Sequence, residues 1–331
     1  MDGERGSLKS LVSRYAAMLF LEPVNYLLGG YLILSLVYAV AGAFFGSAAA
    51  DRKTDIGFTV SMVANALISY GIPIAAAALL FRGHIRELGK LPESGDYKRF
   101  PLDIVVLYIA GLFFATCGSL LTGCISDLLN ALYGVPKPEM AFSGSMPTSV
   151  YTFSVMTVNT LIVAPLCEEL LYRHYLLKPL QKYSDTAAVI VSAMLFSLSH
   201  FNFDQFLYTF FFGIFLGIIA VRSGSVLPAV ICHVINNLTA LLQSYLPETF
   251  GDAGIDEFFR TLSRFVTNAA LIVFYVGAGA AVLAVVMKTF RLKNRSELPV
   301  RTQFAVIFGS PLLLLGAAAC LGLTVWLLFA V

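Results

Sequence analysis

Runs of about 18 or more apolar residues recur along this chain, each long enough to cross a hydrocarbon core about 30 Å thick. Inside such a core no water is present to satisfy backbone N–H and C=O groups, so each run must be a helix or part of a closed barrel. A barrel would show short segments of alternating polarity, and these runs do not alternate. The expected fold is therefore all-α: a polytopic integral membrane helical bundle with about eight or nine transmembrane helices. Hydrophobic residues make up 58% and charged residues 13% of the chain, with a mean hydropathy of +0.80, which excludes an ordinary soluble domain.

The expected spans run approximately over 25–46, 56–81, 101–122, 149–178, 185–200, 204–221, 225–244, 264–288 and 304–330. Before the first, Leu8, Leu11, Val12, Tyr15 and Leu19 share one helical face, the pattern of an interfacial helix lying on the bilayer. Three units follow: 1–149, the interfacial helix and three spans; 150–244, a core of four helices; and 245–331, an acidic outer loop and two more spans. Met1 to Glu22 carries scattered charges and no small-residue cleavage site, so no cleaved signal is expected.

Seventeen of the 22 Lys and Arg residues fall on one side of this alternation, leaving Arg52, Lys53, Lys137, Arg260 and Arg264 on the other. By the positive-inside rule the rich side is cytoplasmic, which puts the N-terminus inside. The basic residues follow the loops, so the net charge of +2 gives no reason to expect nucleic acid as a partner. The five cysteines lie in or beside apolar runs with no CxxC pair, and read as small membrane-core residues. The setting expected is a membrane, of a bacterial cell.

Polar residues inside the spans are the candidates for function, because a charge at bilayer depth costs roughly 2.5–3.5 kcal/mol on insertion scales. Glu168 and Glu169 follow the apolar stretch Val150 to Leu166. Glu169 and Arg173 stand four apart, acid before base, and are expected to pair on one helical face. Glu168 lies about 100° round the helix, without a local partner. His200 and His233 sit within or at the ends of apolar spans, sharing helical faces with Phe196 and Asn237. His84 and His174 read instead as solvated or headgroup-facing residues.

At 1.5 Å per residue, Glu168 lies about 15 Å, His233 about 14 Å and His200 about 24 Å from the cytoplasmic ends of their helices. They are expected to meet in one cavity open to the cytoplasm. The spans 185–200 and 204–221 both read as short, forming a hairpin whose tip, His200 to Gln205, walls that cavity.

A carboxylate in a poorly solvated site serves as general base on water, a histidine orients that water or shares a metal, and an amide donates to an oxyanion. No HExxH and no GxSxG is present. The same buried Glu, His and Arg residues also suit an ion- or proton-coupled membrane transporter. Carriers usually carry paired repeats with broken helices, and none is visible. A scaffold whose polar residues only join helices is the third alternative.

In order along successive apolar helices come Glu168-Glu169-x-x-x-Arg173, Phe196-x-x-x-His200 and His233-x-x-x-Asn237. This series resembles the CPBP family of intramembrane proteases, which comprises the type II CAAX prenyl endopeptidases and the related bacteriocin-processing and self-immunity proteins. The resemblance covers roughly residues 150–244. It implies a CAAX-protease-like endopeptidase acting on a lipidated or membrane-associated peptide in the bilayer. Glu168 would be its catalytic carboxylate and His200 the partner at the water. His233 and Asn237 would support the oxyanion, with Glu169 and Arg173 in supporting places. Both metalloprotease and metal-free glutamate mechanisms are known in the family. Zn2+ held by Glu168, His200 and His233 therefore stands beside a metal-free site as an alternative. For a zinc site, Asp204 is the carboxylate placed to orient His200 if its helix continues through the hairpin tip, and near His233 only Asn236 and Asn237 suggest themselves.

Overall fold

The computed structural model describes residues 2–51, 53–82, 100–135, 149–244, 253–286 and 292–330. His84, most of the Pro/Gly-rich stretch up to Pro147, and Glu248 and Asp252 of the acidic segment lie outside them. Among the described residues regular structure is helical, without a strand. We number the main helices α1 (Asp2–Phe45), α2 (Asp55–Leu80), α3 (Phe100–Tyr133), α4 (Val150–Gln181), α5 (Asp185–Leu198), α6 (Phe203–Ser223), α7 (Leu227–Ser244), α8 (Ala253–Val286), α9 (Val300–Phe308) and α10 (Pro311–Ala330). Seven of them (α1, α2, α3, α4, α6, α8 and α10) are long and apolar enough to cross a membrane, while α5 and α7 are shorter apolar helices. The chain is an all-α polytopic membrane bundle.

The apolar stripe of α1 meets protein where the sequence suggested a membrane surface. Leu8, Leu11, Val12, Tyr15 and Leu19 are 0–3% exposed. The stripe packs on α10, where the Cys320 thiol donates to the Leu19 carbonyl at 3.3 Å. The Tyr15 hydroxyl donates to the Leu176 carbonyl, and its ring lies 5.0 Å from that of Phe81. Helical periodicity defines which side of α1 is apolar, but a protein core and a lipid surface impose the same pattern.

Of the two helices expected to be short, only α5 is so, at 14 residues or about 21 Å. Helix α6 extends to Ser223 and stops at Gly224, which takes the left-handed conformation (φ 63°) of a helix C-cap. The brevity of α5 is tolerated because 11 of its 14 side chains are buried, so protein surrounds it where a span would meet lipid. Close approach is the reason for the small residues on α6. A Cβ at Gly213 would lie 3.1 Å from the Phe196 ring and 3.3 Å from Ala193, and one at Gly217 would lie 3.2 Å from Val189. Membrane helices associate by such backbone-to-backbone packing, since lipid gives them no hydrophobic drive to pair.

The start of α5 is also fixed from outside the core. Asp185, fully buried, pairs with Arg295 at 3.0 Å and accepts the Lys293 backbone N–H at 3.0 Å. The Arg295 amide in turn donates to the Tyr183 carbonyl at 2.8 Å, so residues 293–295 are clamped across the α4–α5 turn. Near the end of α6, Arg222 pairs with Asp103 of α3 at 3.0 Å. These contacts hold α5 and α6, and with them Phe196 and His200, in a fixed place relative to α4.

Candidate active site

Helix α4 changes its winding around the two glutamates. Residues Ala164–Glu169 are α-helical, between π-helical segments at Asn159–Val163 and Leu170–Leu177. π-Turns are uncommon and recur at functional sites, where they re-aim side chains. Glu169 and Arg173 nonetheless pair across the junction, Nε to Oε2 at 3.0 Å, both with fully buried side chains. The Arg173 N–H groups are poorly aligned with that oxygen, so the contact is one of charge more than of hydrogen bonding. Nη1 of Arg173 donates to Ser192 Oγ at 3.1 Å, and the guanidinium carbon sits 4.9 Å above the Phe196 ring. Arg173 is thus an interior residue and drops out of the loop charges that set topology, which leaves the asymmetry otherwise unchanged.

Glu169 has a second partner that its position in the sequence does not reveal. Its Oε1 accepts the Nδ1–H of His233 on α7 at 2.9 Å. A carboxylate only accepts here, so Nδ1 carries the hydrogen and Nε2 is the open face of the ring. That Nε2 lies 3.7 Å from Oε2 of Glu168. His233 is 4% exposed, wedged edge-on between Phe196 (5.9 Å) and Phe212 (5.7 Å). Arg173, Glu169 and His233 form a chain in which each polar group fixes the next, and its open end faces Glu168.

His200 is set by the same logic from α5. Its Nδ1 donates to the Phe196 carbonyl at 2.6 Å, which again leaves Nε2 as the acceptor. Phe196 also packs on His200 (4.7 Å) and Tyr172 (5.1 Å), which explains the Phe-x-x-x-His spacing as one of contact. The helix does not run through the hairpin tip. It ends at Leu198, Phe201 takes a left-handed φ of 47° that bulky residues rarely adopt, and Asn202 caps α6 by accepting the Gln205 N–H at 3.1 Å. Asp204 is therefore turned away from His200 and accepts from Ser126 at 2.9 Å. The second-sphere acceptors are the Phe196 carbonyl for His200 and Glu169 for His233, in place of Asp204, Asn236 and Asn237.

Glu168 and His200 both line a cavity of about 550 Å3. Tyr70 of α2 lines it as well. Three π-helical segments supply much of its wall: Asn25–Ile33 in α1, Leu67–Gly71 in α2 and Leu170–Leu177 in α4. His233 and Asn237 do not line it. Asn237 donates to the Thr160 carbonyl at 3.0 Å, and neighbouring Asn236 accepts from Tyr208 at 2.6 Å. His174, read from sequence as solvated, is fully buried and packs edge-on against Tyr175. Glu22, Tyr70 and Tyr172 on the cavity wall escaped the sequence reading; the only signal was one carboxylate at the edge of the first span and tyrosines within apolar runs.

The zinc alternative requires Glu168, His200 and His233 to share one ion. Both histidines present the nitrogen a metal would take, with the other one anchored. Yet among the described residues no three His, Cys, Asp or Glu side chains are spaced to hold an ion together. The donor set as placed does not fit, and no step below is routed through a metal.

No curated protein and no solved structure matches this chain. The family model of the type II CAAX prenyl endopeptidase Rce1-like proteins matches residues 150–239, the stretch of α4 to α7 that carries Glu168, Glu169, Arg173, His200, His233 and Asn237. This segment is thus similar to the Rce1-like type II CAAX prenyl endopeptidases, and it sits in an all-α membrane bundle with a polar cavity beside Glu168.

Proposed function

We propose that the chain is a CAAX-prenyl-protease-like endopeptidase that hydrolyses a peptide bond of a lipidated or otherwise membrane-associated substrate, with Glu168 as the base. One observation carries this reading: Glu168 has no Lys or Arg partner among the described residues and lines one membrane-bundle cavity with His200, inside the segment that matches the peptidase family. Water held between the Glu168 carboxylate and Nε2 of His200 loses a proton to Glu168 and attacks the scissile carbonyl carbon. As the C–N bond breaks, the same proton passes from Glu168 to the leaving amine, so one water is consumed and no proton is gained or lost. His233, fixed through Nδ1 by Glu169, stands behind Glu168 with Nε2 3.7 Å from its carboxylate. Asn237 ties α7 to the Thr160 carbonyl with one amide hydrogen and so positions His233 behind the cavity wall. Tyr70 on the same cavity wall brings a hydroxyl as a further donor.

The test is cleavage of fluorogenic peptides, with and without a prenyl group on a C-terminal-region cysteine, by the purified chain in lipid nanodiscs. Turnover is expected to survive exhaustive chelation and to fall at least 100-fold in His200→Ala, within the range of general acid–base effects. Abolition by chelator and restoration by zinc would replace the metal-free mechanism with a metal-dependent one. Equal turnover of prenylated and unprenylated peptides would remove the lipid from the substrate definition.

The cavity is proposed to open to the cytoplasm of a bacterial cell, with the N-terminus on the same side, on the strength of the basic asymmetry. In a cysteine-free background, a cysteine at position 293 is expected to react with an impermeant reagent only from the cytoplasmic face, and one at 260 only from outside. Reaction of both from one face rejects this orientation.

A further inference from the structure

Ten of the sixteen residues lining the cavity come from α1 and α2, between Glu22 and Tyr70, and only six from the family-matching segment. The reacting groups and most of the wall a substrate would touch therefore come from different parts of the chain. That second wall is polar although it belongs to membrane-spanning helices: Asn65 and Ser69, four apart on α2, and Ser35 on α1 are exposed at it. Its one charge is Glu22. No Lys, Arg or His stands within ion-pair distance of Glu22 among the described residues. The lining contains two carboxylates, Glu22 and Glu168, and no Lys or Arg. The nearby bases are committed elsewhere: Arg14 donates to the Leu80 carbonyl at 2.9 Å, and Arg173 is held by Glu169. A carboxyl without a basic partner in a poorly solvated cavity favours a positive guest. Glu168 stands with His200 and against His233 at the reacting end, which leaves Glu22 to meet that guest.

We propose that Glu22 is the specificity-determining residue of this cavity and receives an organic cation of the bound peptide, an ammonium or guanidinium, while Glu168 and His200 face the scissile bond. The inference rests on the peptidase reading above and names its substrate class. The cation belongs either to a Lys or Arg side chain or to a free terminal amine; the chemistry at Glu22 is the same. Specificity of this chain then lies outside its family domain, in the two helices that precede it.

The full chain in nanodiscs is assayed with peptides in which Lys or norleucine is scanned through the positions flanking the scissile bond, each with a free or an acetylated N-terminus. The readout is the ratio of kcat/KM for the cationic over the neutral peptide. Wild type is expected to favour the cation about ten-fold or more, the scale of a charged hydrogen bond in a desolvated site. In Glu22→Gln the ratio is expected to collapse to near one, and Glu22→Asp to retain part of it. Preference that follows Lys whatever the N-terminus assigns a side chain; preference lost on acetylation assigns the terminal amine. A wild-type ratio near one in both comparisons, or an unchanged ratio in Glu22→Gln, overturns the proposal. So does an equal loss on cationic and neutral peptides, which would make Glu22 a proton carrier or a structural group. The same ratio taken from Kd values in a Glu168→Gln background separates the two readings. If no peptide is cleaved by wild type, the peptidase reading fails, while a cation preference in Kd that disappears on adding Glu22→Gln still supports the role of Glu22, and its absence rejects it.

Discussion

Glu168→Gln is expected to lower cleavage of a membrane-anchored reporter peptide about 1,000-fold, in the middle of the range for loss of a positioned general base. The amide keeps the shape of the side chain but cannot take a proton from water. Folding should be nearly untouched, because the Glu168 side chain is 15% exposed and forms no ion pair with Lys or Arg among the described residues. The neighbouring substitution serves as the control. Glu169→Gln removes the counter-charge of Arg173 and leaves one acceptor oxygen where the carboxylate offers two, so it should lose folded protein as well as activity. Kinetics and thermal unfolding measured on both variants separate the roles. Activity within ten-fold of wild type in Glu168→Gln would rule the residue out as the base. Loss of proton-coupled uptake with cleavage unchanged would instead favour a transporter.

The largest stability effect is expected for Arg173→Ala. Its guanidinium is fully buried among Glu169, Ser192 and the Phe196 ring. Deleting it leaves the Glu169 charge buried without its base, an uncompensated group that typically costs about 3–5 kcal/mol. His233 loses order too, since its acceptor is then free to rotate. Denaturant unfolding in detergent should show the loss directly. Arg173→Met combined with Glu169→Gln should recover part of it, because both buried charges are then removed together. A single variant that melts like wild type would mean that water reaches the pair, and the account of a dry ionic core would be wrong.

Much of this chain was legible without coordinates because the governing forces are local. The cost of an unsatisfied backbone amide in lipid makes an apolar run a helix wherever it occurs, so the all-α membrane bundle followed from run length alone. A pair four residues apart, such as Glu169 and Arg173, shares a face in any helix, and the structure forms that pair even across a change in helical winding. The order of the Glu-Glu, Phe-x-x-x-His and His-x-x-x-Asn motifs likewise marked the segment that the family model matches.

What sequence could not supply was the identity of partners far apart in the chain. Periodicity gave α1 an apolar stripe, but whether lipid or α10 covers it depends on where a helix 300 residues later packs. Likewise His233 is 64 residues from Glu169, and nothing local pairs them, so the acceptor that fixes its ring became visible only in three dimensions. Asp204 looked like a partner for His200 on the premise of a continuous helix; the left-handed Phe201 and the Asn202 cap end that helix and send the carboxylate to Ser126. The polar wall bearing Glu22 and Tyr70 was hidden for the same reason. A lone polar residue in an apolar helix has no local partner to announce it, and only the packing of α1 and α2 against α4 decides that these residues share a cavity with Glu168.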